Sequence, residues 1–221
     1  MRILLLNPRC TQTYWTKERV LRMVGRRLAD SPLALTTVAA ILPQTWEYRL
    51  VELAVRDVSP DEWNTFDVVM VSGMAAHTSS MMAAVAEGRA HGKLVVVGGS
   101  LAFHVPEEFL RAGANIVVKG ELEAVAGELV SAIERHASGV VIEAREKPDL
   151  ATSPVPRFDL LDFDLYLGID IQFSRGCPFQ CEFCDVTTML GHVVRTKPPS
   201  RILEELQVIY DRGWRRNVFF V

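Results

Sequence analysis

The sequence predicts an α/β fold, with a doubly wound, flavodoxin-like (Rossmann-like) domain followed by the start of a second α/β unit. Short runs rich in β-branched residues recur through the first two thirds of the chain. Helical segments with clear stop signals separate them. After a proline-bearing stretch the order of strand, helix and strand begins again.

Residues 3–6, 48–53, 68–72, 94–97 and 116–119 read as buried parallel strands, being short and mostly apolar. Between them, residues 33–42 follow Ser31-Pro32 and are stopped by Pro43, and residues 78–91 are closed by Gly92. A third helix, 106–112, ends at Gly113, and a fourth, 121–135, runs on towards Gly139. The tetrad Ser59-Pro60-Asp61-Glu62 has the form of a capping box with proline at the first helical position. The basic segment 17–27 reads as a solvated helix face, the alternative being a lipid-surface or phosphate role.

These elements place the first domain at residues 1–145. Residues 146–159 carry three prolines and little periodicity, so a linker is expected across 146–168. The second unit, 169–221, opens with Ile169, Ile171 and Phe173 alternating with Asp170, Gln172 and Ser174, as in a strand with one apolar face. Gln172 and Ser174 then share a polar face, turned into a barrel lumen or simply filling it. A helix follows with Ile202, Leu203, Leu206, Ile209 and Tyr210 on one face, then a stop at Gly213 and an apolar run at 218–221.

At 221 residues, 49% hydrophobic and a net charge of −3, the chain has material for a real core and no excess charge to attract nucleic acid. The opening MRILLLN is too short for a signal sequence or a membrane span, so a cytoplasmic location is expected. Thiols stay reduced there, which points clustered cysteines towards metal or redox chemistry rather than disulfides.

Three of the four cysteines, Cys177, Cys181 and Cys184, lie within SRGCPFQCEFCD at 174–185. A thiolate is soft enough for zinc or an iron–sulfur cluster. A closed zinc site usually takes two separated pairs of ligands, and no second pair exists; Cys10 reads as a small buried apolar residue. A Cys3His zinc knot completed by His192 is the alternative. A cubane cluster takes four thiolates, so three leave one iron open to a substrate. Gly176 and Pro178 suit a tight loop around a bulky cluster, and Phe183 offers it a flat apolar face.

An open parallel sheet binds ligands beyond the carboxyl ends of its strands. In a flavodoxin-like order the loops concerned are 7–13 and 72–77, and the next two strands end in Gly98-Gly99 and Gly120-Glu121. No Gly-x-Gly-x-x-Gly follows the first strand, so Glu52 carries no weight as a ribose-binding acid.

The spacing Cys-x-x-x-Cys-x-Phe-Cys at the end of a strand resembles the signature of radical S-adenosylmethionine enzymes. The stretches PLALTTVAAILP, VVVGGS and VPRFDLL…SRGCPFQCEFCD are similar to the cobalamin-binding subgroup of that family, above all to the hopanoid methylases. The resemblance implies a cobalamin-binding domain ahead of a partial (β/α) radical S-adenosylmethionine barrel. It implies a 4Fe–4S cluster on Cys177, Cys181 and Cys184, S-adenosylmethionine on the open iron, and Phe183 beside its adenine. It also implies cobalamin over Asn7, Ser72, Gly73, Met74, His77, Gly98, Gly99, Gly120 and Glu121, with His77 the candidate near cobalt. The Asp-x-His-x-x-Gly of classical cobalamin domains is absent, and the corresponding loop reads NPRCTQT.

The implied activity is methylation of an unactivated carbon, through a 5′-deoxyadenosyl radical and methylcobalamin. The substrate would be a small molecule or a lipid, and an external electron donor such as flavodoxin or ferredoxin would serve it. No nucleic-acid partner and no membrane span are expected; peripheral membrane contact is compatible with a lipid substrate. Oxidative cyclisation or rearrangement without methyl transfer is one alternative, and a non-catalytic cobalamin- or zinc-binding module is another. The second unit stops at its second strand, so the 221-residue chain is expected to be incomplete and inactive alone.

Overall fold

The computed structural model describes residues 1–13 and 16–221. Its first elements are β1 (Arg2–Asn7), α1 (Glu18–Met23), α2 (Leu33–Ile41), β2 (Glu47–Glu52), α3 (Pro60–Thr65), β3 (Val68–Ser72) and α4 (Thr78–Ala90). There follow β4 (Leu94–Gly98), α5 (Gly99–His104), α6 (Pro106–Ala112), β5 (Ile116–Lys119), α7 (Ala126–Glu134) and β6 (Val140–Glu143). The last are β7 (Gly168–Ile171), β8 (Ser174–Arg175), α8 (Val186–Leu190), β9 (Arg195–Thr196), α9 (Pro199–Asp211) and β10 (Asn217–Phe220). They form two compact units, Met1–Thr16 with Leu42–Arg145, and Lys17–Ile41 with Glu146–Val221.

The first unit is a six-stranded sheet in the order β2-β1-β3-β4-β5-β6, parallel throughout. This is the flavodoxin-like order, extended at one edge by β6. Ile3, Leu4, Leu5 and Leu6 are all fully buried. Neighbouring residues of a strand point to opposite faces, so both faces of β1 are covered. Helix α4 packs on β3 and β4, α5 on β3, β4 and β5, and α6 on β5. Met81, Val85, Val97, Phe109 and Val117 meet in the resulting core.

Strand β6 escapes the sequence pattern because it is an edge strand with only Ile142 buried. The helix expected over 121–135 begins as a 3-10 turn at Leu122–Ala124 and turns α-helical only from Ala126. The capping box is present as expected. Ser59 Oγ accepts from the Glu62 amide at 3.2 Å, and Glu62 Oε2 accepts from the Ser59 amide at 2.9 Å. Arg56 also donates twice to the Glu62 carboxylate, at 2.7 and 2.6 Å.

In the second unit β7 and β10 pair in parallel and α9 makes the crossover. Ile169 and Ile171 pack with Ile202, Ile209 and Trp214. Along β7 runs the segment 27–31: Arg27 and Leu28 donate to the Leu165 carbonyl, Leu167 to Leu28, and Gly168 to Ala29. The Asp170 amide continues the line by donating to Ser31 Oγ at 2.9 Å.

Three expectations for this unit are corrected. The alternation from 169 to 174 does not make a half-buried strand, because Asp170 is buried and Phe173 is exposed. Segment 27–31 bonds along one edge of β7 at this point and brings the charge of Asp30 to bear on Asp170. Leu203 and Tyr210 are exposed, so only part of the apolar face of α9 is packed. Residues 146–168 are no free tether, since Leu150, Phe158 and Tyr166 are fully buried. Proline removes periodicity from such a stretch without removing its apolar payload. Among the described residues, no helix is long and apolar enough to cross a membrane.

Glu62 gives the first test. Bonds from Arg56, and then from Ser59, hold its carboxyl down at about 2. A depressed carboxyl stabilises the fold above its unfolded value of 4.5, and the contribution fades as pH falls through about 2. Glu62→Gln is expected to cost about 1 kcal/mol at pH 7. Denaturant midpoints of the two proteins should differ at pH 7 and converge near pH 2.

Candidate functional site

The three clustered cysteines stand on one framed loop. It leaves from β8 and returns through β9, an antiparallel pair in which Ser174 faces Thr196 and Arg175 faces Arg195. Phe173 accepts from the Lys197 amide at 2.8 Å, extending the ladder by one bond. Inside it, the Cys177 amide donates to the Gly191 carbonyl at 3.1 Å. Gly176 has φ +95°, and a Cβ there would collide with the Val193 carbonyl oxygen. Both conditions exclude other residues, which is why glycine precedes the first cysteine.

Beyond that base the loop opens. Cys177 and Cys184 are half-buried and Cys181 is exposed; all three thiols are free. The Cys184 amide donates to the Cys181 carbonyl at 3.1 Å, turning the chain into α8. Phe179 and Phe183 project outward, Phe183 being 92% exposed. Gln172 Oε1 accepts from Arg175 Nε at 2.6 Å, and Ser174 belongs to the β8–β9 ladder.

Several charged groups belong to the same unit as this loop. Lys197 and Glu205 form a buried ion pair, 4% and 1% exposed, and burial pushes the Glu205 carboxyl up despite the lysine beside it. Asp170 is buried too. Burial, and secondarily the negative charge of Asp30, raises its carboxyl to about 7, and among the described residues its Oδ1 has no hydrogen-bond partner. Arg195 donates to the Pro148 and Leu190 carbonyls, and Lys147 donates to that of Met189.

The other candidate residues stand at the carboxyl ends of the sheet strands. Asn7 Nδ2 donates to Glu52 Oε2 at 2.7 Å, and Glu52 is buried. His77 accepts through Nδ1 from the Met74 amide at 3.2 Å, and burial lowers its pKa. A neutral imidazole accepting at Nδ1 carries its proton on Nε2. That arrangement makes His77 the anchor of the turn into α4. Met74 is exposed and Glu121 is buried.

The glycines here differ in what they are for. A Cβ on Gly73 would lie 2.9 Å from Met81 Sδ and 3.0 Å from Pro8 Cγ. One on Gly99 would lie 2.6 Å from the Gly73 carbonyl and 2.8 Å from Ser72 Oγ. One on Gly120 would lie 3.0 Å from the Ala144 carbonyl. At Gly98 the nearest atom is the Val118 carbonyl at 4.0 Å, and φ is −142°. Packing accounts for the other three and not for Gly98.

No family model matches the chain. An uncharacterized methyltransferase of Synechocystis is 48% identical over all 221 residues, which cover 41% of that protein. The hopanoid C-2 methylase of Rhodopseudomonas palustris is 30% identical over 100% of this chain and 42% of its own length. This chain is a homologue of the hopanoid methylases. It spans about two fifths of the length of these curated relatives. Among solved structures, the radical S-adenosylmethionine methyltransferase TsrM of Kitasatospora setae superposes with a TM-score of 0.69 at 15% identity, over 99% of this chain and 47% of TsrM. That likeness establishes the α/β architecture. TsrM was solved with tryptophan and a SAM analogue, and also with cobalamin and a [4Fe–4S] cluster.

In this chain the donor chemistry of the loop fits an iron–sulfur group: three free thiols within eight residues. The side chains do not converge as they stand. Among the described residues, no three His, Cys, Asp or Glu are gathered as a metal site, and exposed His192 joins no such group. Sequence reasoning missed Arg195, Lys147 and the Lys197–Glu205 pair, since single charges in irregular segments carry no pattern.

Gly176→Ala tests the frame of the loop. The strain at φ +95° and the collision with Val193 should together cost about 1–3 kcal/mol. Alkylation of Cys177 by iodoacetamide should accelerate, while Cys181, already exposed, changes little.

Proposed function

We propose that the intact protein is a cobalamin-dependent radical S-adenosylmethionine methyltransferase acting on an unactivated carbon of a small-molecule or lipid substrate. The observation that carries this reading is the framed loop of three free thiols following β7, in a chain homologous to hopanoid methylases. When bound, the cluster and S-adenosylmethionine supply hydrogen-abstracting chemistry, and cobalamin supplies the methyl group.

Each residue then has a definite task. Cys177, Cys181 and Cys184, as thiolates, are the three protein ligands of the 4Fe–4S cluster. The exposure of Phe183 leaves an aromatic face for the adenine to pack on. Cobalamin lies over the strand ends at Asn7, Ser72, Gly73, Met74, Gly98, Gly99, Gly120 and Glu121. Of these, Gly98 is the point at which the ligand itself requires glycine. His77 belongs to the rim of this site, and the Met74 bond on its Nδ1 leaves Nε2–H as a donor rather than as a ligand to cobalt. An external electron donor reduces the cluster. Homology to hopanoid methylases favours a lipid substrate, with contact at a membrane surface rather than a span.

Anaerobic reconstitution tests the cluster. About four irons and four sulfides per chain are expected for the wild type, and loss of the cluster for Cys181→Ala. Zinc, or no metal in a folded protein, would overturn the assignment. The cobalamin site has its own test. Gly98→Ala should leave the melting temperature nearly unchanged yet weaken cobalamin binding about tenfold or more, read from the cofactor's visible absorption on titration. Equal affinity in the variant would remove Gly98 from the site.

A further inference from the structure

Two cations at the base of the cysteine loop have no part in the proposed chemistry. Arg195 donates from Nη1 to the Pro148 carbonyl at 2.8 Å and from Nη2 to the Leu190 carbonyl at 2.9 Å. Lys147 Nζ donates to the Met189 carbonyl. Met189 and Leu190 close α8, the helix through which the chain returns from Cys184. The last carbonyls of a helix have no partner within it, and they carry the negative end of its dipole. Both cations therefore sit where α8 leaves acceptors open.

The next residue passes this anchorage to the thiols. A Cβ on Gly191 would lie 3.9 Å from Lys147 Cγ and Cε, so the lysine stem passes beside this residue. Its carbonyl accepts from the Cys177 amide at 3.1 Å. A continuous path thus runs from Pro148 through the guanidinium to Leu190 and Gly191, and on to the backbone of the first cysteine. Among the described residues Cys181 shows no such tether: it is exposed, and its carbonyl accepts from the Cys184 amide within the loop.

Building on the cluster assignment above, we propose that Arg195, assisted by Lys147, is a positioning residue for the metal ligands. It clamps the returning limb of the loop so that Cys177 is presented on a fixed backbone while Cys181 and Cys184 close onto the cluster. Arginine suits the task because one planar fork reaches two carbonyls on different segments, which a lysine ammonium on a flexible stem does less well.

The experiment compares the full 221-residue chain with Arg195→Ala, Arg195→Lys and Lys147→Ala, each checked for fold by circular dichroism and melting temperature. Two measurements are made. Iodoacetamide alkylation of the metal-free proteins should show Cys177 reacting severalfold faster in Arg195→Ala, with Cys181 unchanged. In the reconstituted proteins, iron loss to EDTA should be about tenfold or more faster in Arg195→Ala. The electron paramagnetic resonance spectrum of the reduced cluster should also be altered, and Arg195→Lys should recover part of both effects. Wild-type rates and spectrum in a folded Arg195→Ala would overturn the proposal. A wild type that takes up no iron would sink the cluster assignment instead, and the alkylation pattern would still decide whether Arg195 holds Cys177. If Arg195→Ala fails to fold, the same criteria apply to Arg195→Lys and Lys147→Ala.

Discussion

Parallel pairing sets the terms for this molecule. Consecutive parallel strands cannot be joined by a tight turn, so each must be followed by a crossover that returns the chain to the starting edge. The crossovers cover the faces of the sheet, and the carboxyl ends of the strands all emerge together. In the first unit this gathers the ends of β1, β3, β4 and β5 into one rim, with Asn7, Ser72, Gly98 and Lys119 as the last strand residues. The same rule acts in the second unit, where α9 returns the chain from the end of β7 to the start of β10. The cysteine loop occupies the carboxyl end of β7, where a parallel strand leaves its chain free to project.

A projecting loop has to be framed, or its thiols would wander. Here the frame is almost wholly backbone: the β8–β9 pair, the bond from Cys177 to Gly191, and the contact of Gly176 with the Val193 carbonyl. Charged side chains finish it. The Lys197–Glu205 pair is buried close to the point where β9 runs into α9, an expensive placement unless the two charges satisfy each other. Such a pair adds little net stability, but removing one partner strands the other. The frame holds the base of the loop and leaves its tip, with Cys181 and Phe183, in solvent.

Much of this was legible along the chain. Strand positions followed from apolar runs, the α3 start from Ser59 and Glu62, and the crowding of Cys177, Cys181 and Cys184 into one loop from their spacing. What failed was pairing at a distance. Segment 27–31 was assigned to no element beyond Arg27, the last residue of the basic stretch, yet it bonds along β7, where Asp170, which sequence alternation had set on a polar face, is buried. Edge strand β6 was missed although Val140, Val141 and Ile142 are apolar, because a run of three does not by itself say which strand it will join. The glycines showed a subtler limit: Gly73, Gly98, Gly99 and Gly120 look alike in sequence, and only their neighbours reveal that three are demanded by packing.

By itself, then, the sequence determined the local terms of this protein: which runs are strands, where helices start and stop, and which three thiols stand together in one loop. These are properties of period, propensity and spacing, and they act over a few residues. Tertiary structure alone decided which segment covers which face, why Asp170 is buried, and that Arg195 reaches back 47 residues to Pro148 and five to Leu190. Those contacts join points far apart in the chain, and no local pattern encodes a partner that only folding brings near.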